Sequence, residues 1–238
     1  MTQTLNSPKS GTSSRTVSPS VSRWPLAGAV IAGPLFLGAG VAQGLVREGF
    51  GFTRNAISQL ALGDPGWIQT VNFLLTGALL LTGAAGLRRI LRPGPSGTWG
   101  PVLVAVFGAS FLAAAVFRAD PGGGFPAGAP EDGAMSGHGA GHMAAGGIGY
   151  LALSAAFVVL ARPLAACGHR GWALASRIAP VVVLTGFMTS AASVLAFTLG
   201  AGFGLCWLAA VTVRLLTSAS PDGRWGVPGR SRGKRPGR

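Results

Sequence analysis

The chain has 238 residues, of which 49% are apolar and only 11% charged, and its mean hydropathy is positive. That composition is too apolar for an ordinary water-soluble domain and points to a membrane protein. The net charge of +13, from 19 Lys and Arg against 6 Asp and Glu, needs no nucleic acid as partner, because a basic cytoplasmic face against anionic lipid accounts for it.

Half of the first 22 residues are Ser or Thr, with two prolines and no apolar period. Residues 1–23 therefore read as a disordered cytoplasmic tail. The apolar residues then arrive in blocks of about the length that crosses a hydrocarbon core: 26–46, 67–87, 102–117 and 143–161. The first block has a rival reading as a signal peptide cut after Gly40-Val41-Ala42, but its length and the long polar segment before it favour a span.

The last apolar run, from Ile178 to Leu216, would make a helix of roughly 58 Å, about twice the core thickness. It must fold back, and Leu199-Gly200-Ala201-Gly202 is the expected turn, since two close glycines release the backbone. This gives spans at 178–197 and 202–216 and a basic, disordered cytoplasmic tail at 218–238. The expected fold is all-α, a six-helix transmembrane bundle occupying 24–217.

Cytoplasmic segments hold an excess of Lys and Arg. With six spans, sixteen of the nineteen basic residues fall on the side of the two termini, and only Arg47, Arg54 and Arg118 on the other. Five spans would place the basic C-terminal end outside, against the rule. Both termini are thus expected in the cytoplasm, in the plasma membrane. Five of the six acids, Glu48, Asp64, Asp120, Glu131 and Asp132, then lie outside with His138 and His142.

The spans carry almost nothing ionisable, so a proton- or ion-coupled transporter is a poor reading. Gln43 and Asn72 are the main polar exceptions, each suited to hydrogen-bonding a neighbouring helix. Gly40-x3-Gly44 and Gly200-x3-Gly204 offer small-residue faces for close helix contacts, including those of a homo-oligomer. Cys167 and Cys206 fall near opposite faces and are not expected to pair, and neither belongs to a CxxC motif.

Two outer connections hold the candidate site. In the first, Asn55 to Leu62 has the spacing of a short amphipathic helix ended by Gly63 and Pro65, with Trp67 anchoring the next span at headgroup level. Arg54, Asn55 and Ser58 are its candidate ligands for a phosphate or carboxylate. In the third, Phe117-Arg-Ala-Asp-Pro121 leads through a Gly/Pro-rich stretch to His138-Gly-Ala-Gly-His142. In a helix His138 and His142 would share a face and, with Asp120, form a candidate set for a divalent metal such as zinc. The glycines at 137, 139 and 141 argue against a helix there. No Gly-x-Ser-x-Gly elbow and no phosphate-loop or dinucleotide fingerprint is present.

Taken together, Arg54-Asn-Ala-Ile-Ser-Gln-Leu-Ala-Leu-Gly63, Gly66-Trp-Ile-Gln-Thr-Val-Asn-Phe73, Gly77, Gly86-Leu-Arg88, Phe117-Arg-Ala-Asp-Pro121 and Gly139-x-x-His142 resemble, in order, a bacterial multi-pass membrane family known as domain of unknown function nine-nine-eight. The resemblance covers about Leu26 to Leu216, without an alignable motif in the last two spans. It implies about six membrane helices, no established activity, and attention to Asn55, Ser58, Trp67, Asn72, Asp120, Pro121 and His142. The leading expectation is a protein that binds a membrane lipid or other amphiphile at its outer face through Arg54, Asn55, Ser58, Asp120 and His142, without a cofactor. The alternatives are a metal-dependent hydrolase of a lipid or ester using Asp120, His138 and His142, and a scaffold working through its Gly-rich helix faces.

Overall fold

The computed structural model describes residues 24–91 and 93–218. The N-terminal tail expected over 1–23, and all of the C-terminal one but Ser218, lie outside the described residues. Six helices follow in order: α1 Trp24–Val46, α2 Trp67–Ile90, α3 Pro95–Val116, α4 Gly137–Ala166, α5 Arg170–Met188 and α6 Val194–Ser218, with a 3-10 turn at Ile57–Ala61 between the first two. All six are long and apolar enough to cross a membrane. The described residues contain no strand, as expected where lipid leaves only helices or closed barrels with their backbone groups satisfied.

Local signals set the helix ends. Gly94 takes a left-handed backbone (φ 139°) and Pro95 opens α3 at the position where its missing N–H costs nothing. The Ser136 side chain caps α4 by accepting from the Gly139 N–H, and Gly168 (φ 80°) turns the chain out of it. α4 has 30 residues, about 45 Å at 1.5 Å per residue. It therefore projects well past a hydrocarbon core of about 30 Å.

One expectation is corrected. The turn between the last two helices is at 189–193, not at 199–202. Hydroxyls make it: Thr189 Oγ1 donates to the Thr185 carbonyl at 2.8 Å, and Ser193 Oγ accepts from the Ala196 N–H at 3.2 Å. Gly200 stays helical because its space is taken by the neighbouring helix. A Cβ there would lie 3.1 Å from the Gly186 Cα of α5, so these glycines serve close packing instead of chain reversal. The sixth span consequently has 25 residues, ample for a crossing.

Successive helices pack side by side, and α6 returns to α1, closing a ring; α4 also touches α6, which leaves α5 toward the outside. The α1–α2, α3–α4 and α5–α6 connections gather at one end, the loop face. At the opposite end, the terminal face, His169 Nδ1 accepts from Arg214 at 3.0 Å and His169 Nε2 pairs with Ser218 Oγ at 2.8 Å, tying the α4–α5 turn to the end of α6. α1 and α2 are joined toward the loop-face end by Gln43 Nε2 donating to Gln69 Oε1 (2.8 Å) and, deeper, by Asn72 Nδ2 donating to the Phe36 carbonyl (3.1 Å). This is the helix-bridging role expected of Gln43 and Asn72.

The Gly-rich faces are occupied within the chain. Gly40 lies under Ile57, Gly44 under Phe50 and Phe52, and Gly204 against Leu153 and Val183. The first connection thus folds onto the α1 stripe that had been expected to be open to another helix. The tightest seam is α1 on α2, where Gly28 faces the Leu79 carbonyl and a Cβ on Gly83 would sit 2.6 Å from the Ala29 nitrogen. Gly83→Leu is expected to destabilise the protein by about 1–3 kcal/mol or more, as overpacking against backbone does. Gly38→Leu, with nothing within 4 Å of the added Cβ, is expected to be neutral; thermal unfolding of the two purified variants checks the contrast.

Candidate functional site

At the loop face the first and third connections are stitched together by two side-chain amides. Asn55, fully buried, accepts from the Gly51 N–H at 2.9 Å through Oδ1 and donates through Nδ2 to the carbonyls of Gly122 (3.0 Å) and Gly123 (3.3 Å). One turn further on, Gln59 accepts from the Ala56 N–H at 3.0 Å, capping the 3-10 turn, and donates to the Asp120 carbonyl at 3.1 Å. The receiving loop can present its carbonyls this way because Gly123 (φ 60°) and Gly124 (φ 70°) adopt a backbone other residues avoid. Behind them Phe125 is buried, edge-on to Phe50, with the Arg47 guanidinium 5.1 Å from its ring centre. Arg47 also donates to the carbonyls of Leu60 and Leu62.

Asp120 joins this assembly to α4. One carboxylate oxygen accepts from the Ser136 hydroxyl at 2.5 Å and the other from the Ser136 N–H at 2.8 Å. These two bonds hold the Asp120 carboxyl below its ordinary value of 3.8. Gly139 is small because Asp120 lies directly over it. On the next turn His142 Nδ1 donates to the Phe117 carbonyl at 2.8 Å, so in the neutral ring Nε2 is left as an acceptor. The ring stands edge-on to Phe73 at 6.0 Å.

Two cavities adjoin here. An open vestibule of about 320 Å³ is lined by Ser58, Gln59, Asp120, His142, Met143 and the α5–α6 turn residues Ser190 and Ala191, among others. Beneath it, a chamber of about 80 Å³ lies inside the ring, walled by Phe36, Phe73, Phe107, Phe111, Tyr150 and Phe197, with Ser110, Thr198 and Ala201 between them. Ser58, His142 and Phe197 line both. The carboxylate and the amide stand at the mouth, among alanine, methionine and valine side chains, and most of the aromatic rings are gathered below.

Residues 30–217 match the sequence model of the family described as "Protein of unknown function (DUF998)". The chain belongs to the DUF998 family. The matched segment holds every residue of both cavities and of the amide stitching. No curated protein and no solved structure matches the chain.

Within this DUF998 chain the sequence-selected residues part company. Ser58, Asp120 and His142 do meet, on the vestibule wall. Asn55 does not face it: its polar atoms are consumed in joining the loops. Arg54 lines neither cavity and lies 3.9 Å from Glu131 on the exposed surface, a pairing of small energetic weight. His138 and His142 share the first turns of α4, which forms despite its glycines because Ser136 and Asp120 cap it. Even so, no three His, Cys, Asp or Glu side chains among the described residues are gathered as a metal would require. Ser136 donates once to each oxygen of Asp120, His142 Nδ1 is turned to a carbonyl, and exposed His138 lies beside the Phe117 ring. Trp67 opens α2 and is largely exposed, as an interfacial anchor would be. Gln59 and Ser136 escaped the sequence reading, although Gln59 stands one helical turn after Asn55 and Ser136 three residues before an N–H it caps.

Asn55→Ala is expected to leave the half-buried Gly51 N–H and the Gly123 carbonyl without their side-chain partner, while the Gly122 carbonyl keeps the Phe125 N–H and Gln59, lowering stability by about 1–3 kcal/mol. Asn55→Asp, which sets a carboxylate against those carbonyls, should be at least as harmful, and thermal unfolding in detergent ranks the three proteins. The anchoring of α4 by Asp120 has a definite pH sign. Its folded-state pKa is depressed, so the contribution is full above the ordinary value of 3.8 and is lost as pH falls through the lower folded value. Asp120→Asn should flatten that acid limb of the stability profile.

Proposed function

We propose that this multi-pass integral membrane protein binds an amphiphile on the extracytoplasmic side of the plasma membrane, head in the vestibule and tail in the aromatic chamber. The observation that carries the reading is the junction of the two cavities at Ser58, His142 and Phe197. A mouth that holds one carboxylate and one amide, over a chamber walled by rings, suits a molecule with a small polar head and an apolar tail, and the tail's burial against phenylalanine rings supplies affinity. The sidedness rests on the excess of Lys and Arg in the segments of the terminal face. With the termini in the cytoplasm, the vestibule opens outward. Compared with the expectation from sequence, Gln59 joins Ser58, Asp120 and His142 at the head site, Asn55 supports it from outside, and Arg54 takes no part.

Lipid extracts of the protein purified in native-membrane particles test this. The wild-type protein should retain an amphiphile at close to one per chain that is depleted in Ala201→Phe and Thr198→Phe, which fill the chamber from α6. Equal retention by all three well-folded proteins would refute the reading.

A further inference from the structure

We infer that the head the vestibule receives is a protonated amine, carried on an apolar tail without a neighbouring phosphate. This rests on the amphiphile reading above and narrows its ligand. The vestibule lining contains no Lys or Arg, and Asp120 is its single charged side chain. Of the cations nearest in sequence, Arg118 is exposed and lines neither cavity, Arg54 lies beside Glu131 on the surface, and Arg47 is held by the Leu60 and Leu62 carbonyls and the Phe125 ring. A phosphate or carboxylate head would therefore meet a carboxylate on the vestibule wall and no cation among the residues that line it.

Asp120 and His142 can accept from a bound head, and the hydroxyls of Ser58 and Ser190 can do so too. Ser136 takes one lone pair from each Asp120 oxygen, leaving capacity for further donors, since a carboxylate offers about four acceptor sites. His142 presents its Nε2 lone pair because Nδ1 is spent on Phe117. Ser58 adds a hydroxyl. A primary ammonium, three donors and one positive charge, complements this set, and hydrogen bonds between ionised partners are the strong ones. The apolar tail then passes Phe197 into the chamber.

The test uses the full chain in phosphatidylcholine nanodiscs, titrated calorimetrically with decylamine, decanol and decanoate after subtraction of empty nanodiscs. Decylamine should saturate at one per chain and bind at least about tenfold tighter than decanol, the effect of one charge-assisted contact, with decanoate no better than decanol. Asp120→Asn, which keeps an oxygen for Ser136, should reduce decylamine to the affinity of decanol. Met143→Lys, a cation placed on the vestibule wall without touching Asp120's anchoring role, should weaken decylamine and strengthen decanoate. Equal affinities for amine and alcohol, unchanged amine selectivity in both variants, or tighter binding of decanoate would overturn the amine assignment. If decanol still saturates and Ala201→Phe abolishes its binding, the amphiphile reading survives that failure. If none of the three saturates, both fall.

Discussion

Everything at the loop face depends on two neutral amides reading the backbone of a distant loop. Asn55 and Gln59 lie on the first connection, and the carbonyls they engage, at Asp120, Gly122 and Gly123, lie more than sixty residues later. Backbone carbonyls in a Gly/Pro-rich segment have no helix or sheet to satisfy them, so burying them is costly unless a side chain supplies donors. The two amides do so, and at the same time fix the position of Asp120. Remove that fixture and the vestibule loses the wall that carries its only charge.

Below the loops, the bundle obeys a different constraint. In lipid, helices gain little from hiding apolar surface, and close contact has to come from small residues and a few polar bridges. Here the glycines of α1, α2, α5 and α6 bring backbones together, and the Gln43–Gln69 and Asn72–Phe36 bonds add polar links. Bulky rings are kept for the middle of the ring of helices, where Phe36, Phe73, Phe107 and Phe111 stand edge-on or tilted at 5.1–5.9 Å between centres. Rings of fixed shape leave a defined space between them, which is how a chamber persists in a bundle this tightly seamed.

Six helices and their membrane character were legible in the sequence because hydropathy acts over whole segments and is insensitive to detail. The last turn was not. A pair of glycines signals chain reversal in water, but within a bilayer the same pair signals a close neighbour, and periodicity along one helix does not reveal the Gly186 opposite Gly200. The candidate residues were legible in part: sorting acids and histidines by loop singled out Asp120 and His142, the polar side of the first connection singled out Ser58, and the three line one vestibule. It overreached at Asn55 and Arg54, because the residue type shows that a side chain can bond and not which partner claims it. The chamber was invisible for the complementary reason. Its walls are ordinary apolar residues from five of the helices, and only their three-dimensional arrangement makes them a cavity.

The placement of α5 outside the ring has a consequence for how anything reaches that cavity. Of the six spans, α5 and α6 are the least buried within the molecule, and their connecting turn, Ser190 and Ala191, forms part of the vestibule rim. Elements with few buried contacts open locally at the lowest free energy. On the amphiphile proposal, the edge open to an arriving molecule would thus also be the edge that yields most readily, while the amide-stitched side of the mouth stays rigid.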